Sequence, residues 1–215
     1  MNTYPRTLTW ITLALALLAP TCKKDTTSSE AGDTTTVSRE IKIEVKNDSG
    51  VEQLAIELEP DAIEVTVEGR VLQARRLDEK KHEYKADDGS VVLVVKHQPD
   101  GMKIQAPDGD TLVAKVKRKD GGRLKLSDNE HNEHALEIRP QGANEANVER
   151  DGKSLGRVVF QASSGRTRVQ DPTGKTLLRA TLDHPLFALG ALLDDRVSET
   201  ARYVATAELL NEALR

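Results

Sequence analysis

The 215 residues carry 31 lysines and arginines against 35 aspartates and glutamates, a formal charge of −4; this near balance argues against nucleic acid as the main partner. Aromatic residues make up 3% of the chain, too few for the stacking platforms used to bind sugars or single-stranded nucleic acid. The single cysteine, Cys22, excludes an intrachain disulfide, so the fold must be held by its core even in an oxidising compartment.

In chain order, Arg6 is followed by the apolar run "TLTWITLALALLAP", which ends at Thr21–Cys22. That run is too short and wrongly flanked for a membrane span, and it reads as an export signal over residues 1–21. With its only cysteine at the cleavage point, the segment resembles the signal of bacterial lipoproteins, in which the cysteine becomes the lipidated first residue. The resemblance implies that Cys22 is lipidated and that the membrane is a partner through that lipid. Lys23, a residue other than Asp after the cysteine, implies an exported, lipid-anchored protein at the outer membrane. Removing Arg6 with the signal leaves 30 cations against 35 anions in the mature chain. Residues 23–38, "KKDTTSSEAGDTTTVS", are small and polar, so 22–38 reads as the lipidated cysteine and a disordered tether. One β-rich domain is expected over residues 39–215.

From residue 40 onward apolar and charged residues alternate. Ile41, Ile43 and Val45 alternate with Lys42, Glu44 and Lys46, and the pattern recurs at Ile63, Val65 and Val67 and at Leu112, Ala114 and Val116. Period-two alternation with charged outward positions predicts half-buried antiparallel strands. Turn clusters break it about every ten residues, several with the Asp-Gly pairs that tight hairpins favour. Fourteen strands are expected between residues 40 and 182, twelve of them from residue 62 onward. A propeller would show four-stranded repeats with aromatic marks, and a membrane-spanning barrel would need an apolar outer band; the sequence has neither. The expected fold is all-β dominated: an antiparallel meander closing into a soluble barrel of about twelve strands around a hydrophobic C-terminal helix.

The helix is expected at residues 184–193, where Leu186 to Leu193 carries no polar side chain. It is too short to cross a bilayer and apolar on every side, which requires it to be enclosed. A barrel wider than about eight strands leaves an interior to fill, and this segment is expected to fill it. A second, amphipathic helix is expected at 198–213, with Ala201, Val204, Ala205 and Leu209 along one face.

The run of Asp-Gly hairpins in "ADDGSVVLVVKH", "APDGDTLVAKVKR" and "ERDGKSLGRVVF", followed by "DPTGKTLLRATL" and closed by "HPLFALGALL", resembles the LURP-one/tubby-like group, which includes tubby domains and phospholipid scramblases. The resemblance covers residues 62–193 and implies a twelve-stranded barrel around a hydrophobic helix. It also implies a lipid or membrane ligand, with no site residue to carry over.

Three local patterns bear on chemistry. "GKSLG" at 152–156 matches the G-x-S-x-G nucleophile pattern, but that elbow needs a helix after the serine, and here a strand is expected. In "DNEHNEH", His131, His134 and Glu130 are candidate metal ligands, in a loop that also reads as a solvated hairpin. In "KVKRKDGGRLK", Lys115, Lys117, Arg118, Lys119 and Arg123 are candidate contacts for anionic lipid headgroups; a charged hairpin protecting a sheet edge would give the same pattern. No catalytic residue and no cofactor signature stands out. The sequence therefore suggests a non-catalytic envelope lipoprotein with a binding or structural role at the membrane surface. Its ligand would be a lipid or another envelope protein or component. The alternative is an envelope enzyme or metal-binding protein with a site near residues 128–134.

Overall fold

A computed structural model describes residues 40–78 and 80–214. Cys22 and the segments expected to be signal and tether lie outside the described residues. Fourteen strands follow one another: β1 (Ile41–Asn47), β2 (Glu52–Leu58), β3 (Ala62–Val67), β4 (Arg70–Asp78), β5 (Lys81–Ala86), β6 (Val91–Gln98) and β7 (Gly101–Gln105), then β8 (Leu112–Lys119), β9 (Arg123–Ser127), β10 (Leu136–Pro140), β11 (Glu145–Arg150), β12 (Lys153–Gln161), β13 (Arg166–Gln170) and β14 (Thr176–Thr181). Each pairs antiparallel with its neighbours in sequence, and β1 pairs with β14 to close the barrel. The closing seam is short, with register partners only at Lys46–Arg179 and Asn47–Leu178.

Alternation determines which side chains face inward. Ile43 and Val45 on β1, Ile63, Val65 and Val67 on β3, and Ala114 and Val116 on β8 are all buried in one continuous core. The outward positions pair across strands: Lys42 Nζ lies 2.6 Å from Glu57 of its register partner, and Lys125 Nζ 2.6 Å from Glu137. An outer face carrying such pairs is not the apolar band that a lipid-spanning barrel presents. Among the described residues, no helix is long and apolar enough to cross a membrane. The barrel has fourteen strands rather than about twelve because β1 and β2, which precede residue 62, take part in its closure.

"GKSLG" runs into β12 without a helix. Gly156 is there because β12 and β13 come close: a Cβ at this position would lie 2.1 Å from the Gln170 carbonyl oxygen. The motif is a feature of sheet packing.

The interior holds two C-terminal elements. Phe187–Leu193 forms a 3-10 helix, in which Ala188, Leu189, Gly190 and Ala191 are buried, rather than a full α-helical plug. Gly190 allows it to sit against the wall, since a Cβ there would lie 2.9 Å from Val148. The longer element is α1 (Glu199–Leu214), which was expected to be amphipathic but is buried at every residue from Val204 to Asn211. More than two turns buried on all sides mark α1 as the main filling of the barrel. It is the more suitable filler because a barrel this wide needs more volume than seven residues supply.

Candidate functional site

A meander places alternate hairpins at alternate ends of the barrel. The turns after β4, β6 and β8 therefore share one end, and the 128–134 loop after β9 lies at the other. His82 and Tyr84 project inward from β5, between the outward Lys81, Glu83 and Lys85. The register pairs His82 with Val95 and Tyr84 with Leu93, which puts His97 two residues further along the same inward row of β6. The two imidazole rings meet edge to face with centroids 4.8 Å apart. Arg118 follows Ala114 and Val116 on the inward row of β8, near the same end.

Into this end α1 brings Glu208, fully buried among Leu209, Leu210 and the barrel wall. Its Oε1 lies 2.7 Å from His82 Nδ1 and accepts the Tyr84 hydroxyl at 2.9 Å. Its Oε2 faces His97 Nε2 at 3.4 Å, but the two form no hydrogen bond and neither has another partner. One turn on, Glu212 Oε1 lies 3.3 Å from His97 Nδ1, and its other oxygen pairs with Arg118. The contacts thus run from Tyr84 and His82 through Glu208, His97 and Glu212 to Arg118 at the barrel mouth.

Burial by itself pushes the Glu208 carboxyl up, but the hydrogen bond with His82 and the nearby His82 and His97 rings outweigh it and hold the pKa at about 2. The buried carboxylate is therefore ionised and needs positive partners. Tyr84 is pushed well above the ordinary phenol value, by burial first and then by the Glu208 charge; it stays protonated and acts as a donor. Two imidazoles and a carboxylate, with ligand atoms all within 4.8 Å of one another, form the one cluster among the described residues able to hold a metal ion.

Beside this network the mouth opens into a cleft of about 400 Å³ between the β8–β9 hairpin and the C-terminal helices. Leu124, Pro185, Phe187, Ala188, Leu209 and Leu210 supply apolar lining, and Arg118, Lys119 and Arg123 line the same cleft.

No protein-family model matches the chain, no curated protein is similar to it, and no solved structure matches it.

The candidate headgroup cations are divided by strand alternation. Lys115 Nζ lies 3.2 Å from Glu130 and Lys117 Nζ 3.1 Å from Asp100, on the outer face. Arg118, Lys119 and Arg123 are brought together at the cleft. The candidate metal ligands of the loop are engaged separately: Glu130 by Lys103 at 2.6 Å and by Lys115, and His134 by Asp151 at 2.9 Å. His131 joins neither pair, so the loop residues are not gathered into one ligand set. The residues that do converge, His82, His97 and Glu208, are far apart in sequence and form no motif. The signal that could have found them is positional: His82 and Tyr84 occupy the inward slots of "KHEYKA", and Glu208 follows Ala201, Val204 and Ala205 on one helical face.

Proposed function

We propose that this chain is a non-catalytic bacterial envelope lipoprotein, anchored through Cys22 to the outer membrane, that binds an anionic amphiphile at the membrane surface. The observation supporting this reading is the cleft at the barrel mouth, where an apolar lining meets Lys119 and Arg123, beside Arg118 paired with Glu212. An acyl chain would lie on Leu124, Pro185 and Phe187, and a carboxylate or phosphate head would face Lys119 and Arg123. Each such cation near a charged surface contributes on the order of 1 kcal/mol. The likeness to tubby-like barrels supports the same class of ligand. An enzyme centred on the 128–134 loop has less support, because Glu130 and His134 are paired with different partners.

The test is flotation of the Cys22→Ser chain with vesicles containing anionic phospholipid at low salt. Co-flotation is expected, with loss in the Lys119→Glu/Arg123→Glu double variant. Failure of the unreversed chain to float would contradict the reading, as would equal flotation with neutral vesicles.

A further inference from the structure

We infer that His82, His97 and Glu208 form an internal site for a transition-metal dication of the zinc class, which ties the C-terminal half of α1 to β5 and β6.

Two unpaired atoms carry the inference. His97 Nε2 and Glu208 Oε2 are both buried, both without a hydrogen-bond partner, and 3.4 Å apart. Ligand bonds of roughly 2.0–2.1 Å at a tetrahedral angle separate two donors by about 3.3 Å. The spacing that fails as a hydrogen bond is therefore the spacing of two ligands on one ion. Unsatisfied buried polar atoms are uncommon, and here two of them face each other at ligand spacing. His82 completes the set, since one ligand atom from each of the three residues lies within 4.8 Å of the others; as a ligand, its Nδ1 would lose its proton and exchange the hydrogen bond to Glu208 Oε1 for the metal bond.

The groups behind His97 have the arrangement a metal-binding histidine requires. Such a histidine directs its remaining ring nitrogen to a carboxylate or carbonyl, which fixes the tautomer. His97 Nδ1 has Glu212 at 3.3 Å, and Glu212 is in turn held by Arg118. Tyr84 donates to Glu208 Oε1 and limits its rotation. Two imidazoles and one carboxylate form a ligand set suited to zinc or cobalt rather than to calcium or magnesium, which favour all-oxygen sites. The ligands come from β5, β6 and α1, so the ion would cross-link wall and filling. This inference is independent of the cleft and of Cys22.

The test uses the full chain with Cys22→Ser, which removes its only thiol, after chelator treatment and dialysis. Zn²⁺ is titrated against a chromophoric competitor. One ion per chain is expected, with affinity falling at least about tenfold in His97→Gln and in Glu208→Gln and unchanged in the His131→Ala/His134→Ala double variant. No stoichiometric uptake would overturn the inference. So would uptake unaltered by the His97 and Glu208 substitutions, or uptake abolished by the loop substitutions. If a ligand variant does not fold, Co²⁺ bound to the chain with all three ligands intact decides: the intense visible bands of a four-coordinate site are expected, and a pale six-coordinate spectrum would overturn it.

Discussion

The two halves of α1 are fastened to the barrel in different ways. Just before the helix, Arg150 at the end of β11 reaches Asp194 Oδ1 at 2.6 Å and also contacts Asp195. The same Asp194 oxygen accepts the backbone N–H groups of Arg196 at 2.8 Å and Val197 at 3.1 Å. That buried carboxylate has a cation and two amides and needs nothing further. Glu208, two turns into the helix, has three polar neighbours, yet one of its oxygens is unpaired opposite an unpaired imidazole nitrogen. The first anchor satisfies its carboxylate, although the buried Arg150 Nε has no partner; the second leaves a carboxylate oxygen unpaired. A satisfied carboxylate fixes geometry, and an unsatisfied one is where a ligand would act.

Breaking the Arg150–Asp194 anchor should cost the most. Arg150→Met leaves Asp194 buried without its cation and should destabilise the chain by about 3–5 kcal/mol, measured by urea unfolding followed by circular dichroism. Packing holds the other half of the helix: Leu210, 1% exposed, should cost about 2–5 kcal/mol when replaced by Ala. At the incomplete anchor, Tyr84→Phe removes one donor to a charged acceptor and should cost roughly 1.5–3 kcal/mol in the metal-free protein. If Tyr84→Phe cost more than Arg150→Met, the contrast between the two anchors would fail. The smallest effect belongs to exposed Asp195, whose carboxyl is held below its ordinary value first by the Arg150 hydrogen bond. A depressed folded pKa means that its contribution is present above the ordinary carboxylate range and is lost as pH falls through the depressed value. Asp195→Asn should therefore leave a slightly shallower loss of stability below about pH 4, seen in acid titration of the melting temperature.

The clearest strands were legible because they show their burial through alternation: Ile63, Val65 and Val67 are buried where the pattern puts them. The closure through β1 and β2 was less legible, because alternation defines a strand and its faces but not its place in the ring. The filling was legible in kind, since a wide meander needs one, and in Leu186–Leu193 all but the partly buried Phe187, Leu192 and Leu193 are buried. The larger share assigned to α1 was hidden by Thr206, Glu208 and Asn211, polar residues that made a buried helix look amphipathic. They are inside because polar partners await at least one of them: Glu208 meets His82 and Tyr84, which come from a hairpin more than 120 residues earlier. Long-range pairing of that kind leaves no spacing to read, whereas the sequence-local His131–His134 pair stood out although the fold does not bring it together.

The central claim is that α1 is the interior of this barrel rather than a helix on its surface, and native-state hydrogen exchange tests it most directly. Amides of Val204 to Asn211 should exchange only through global unfolding, with the same free energy as the core strands. Exchange of those amides at the rates of a surface helix, while Ile63 and Val65 remain protected, would contradict the account.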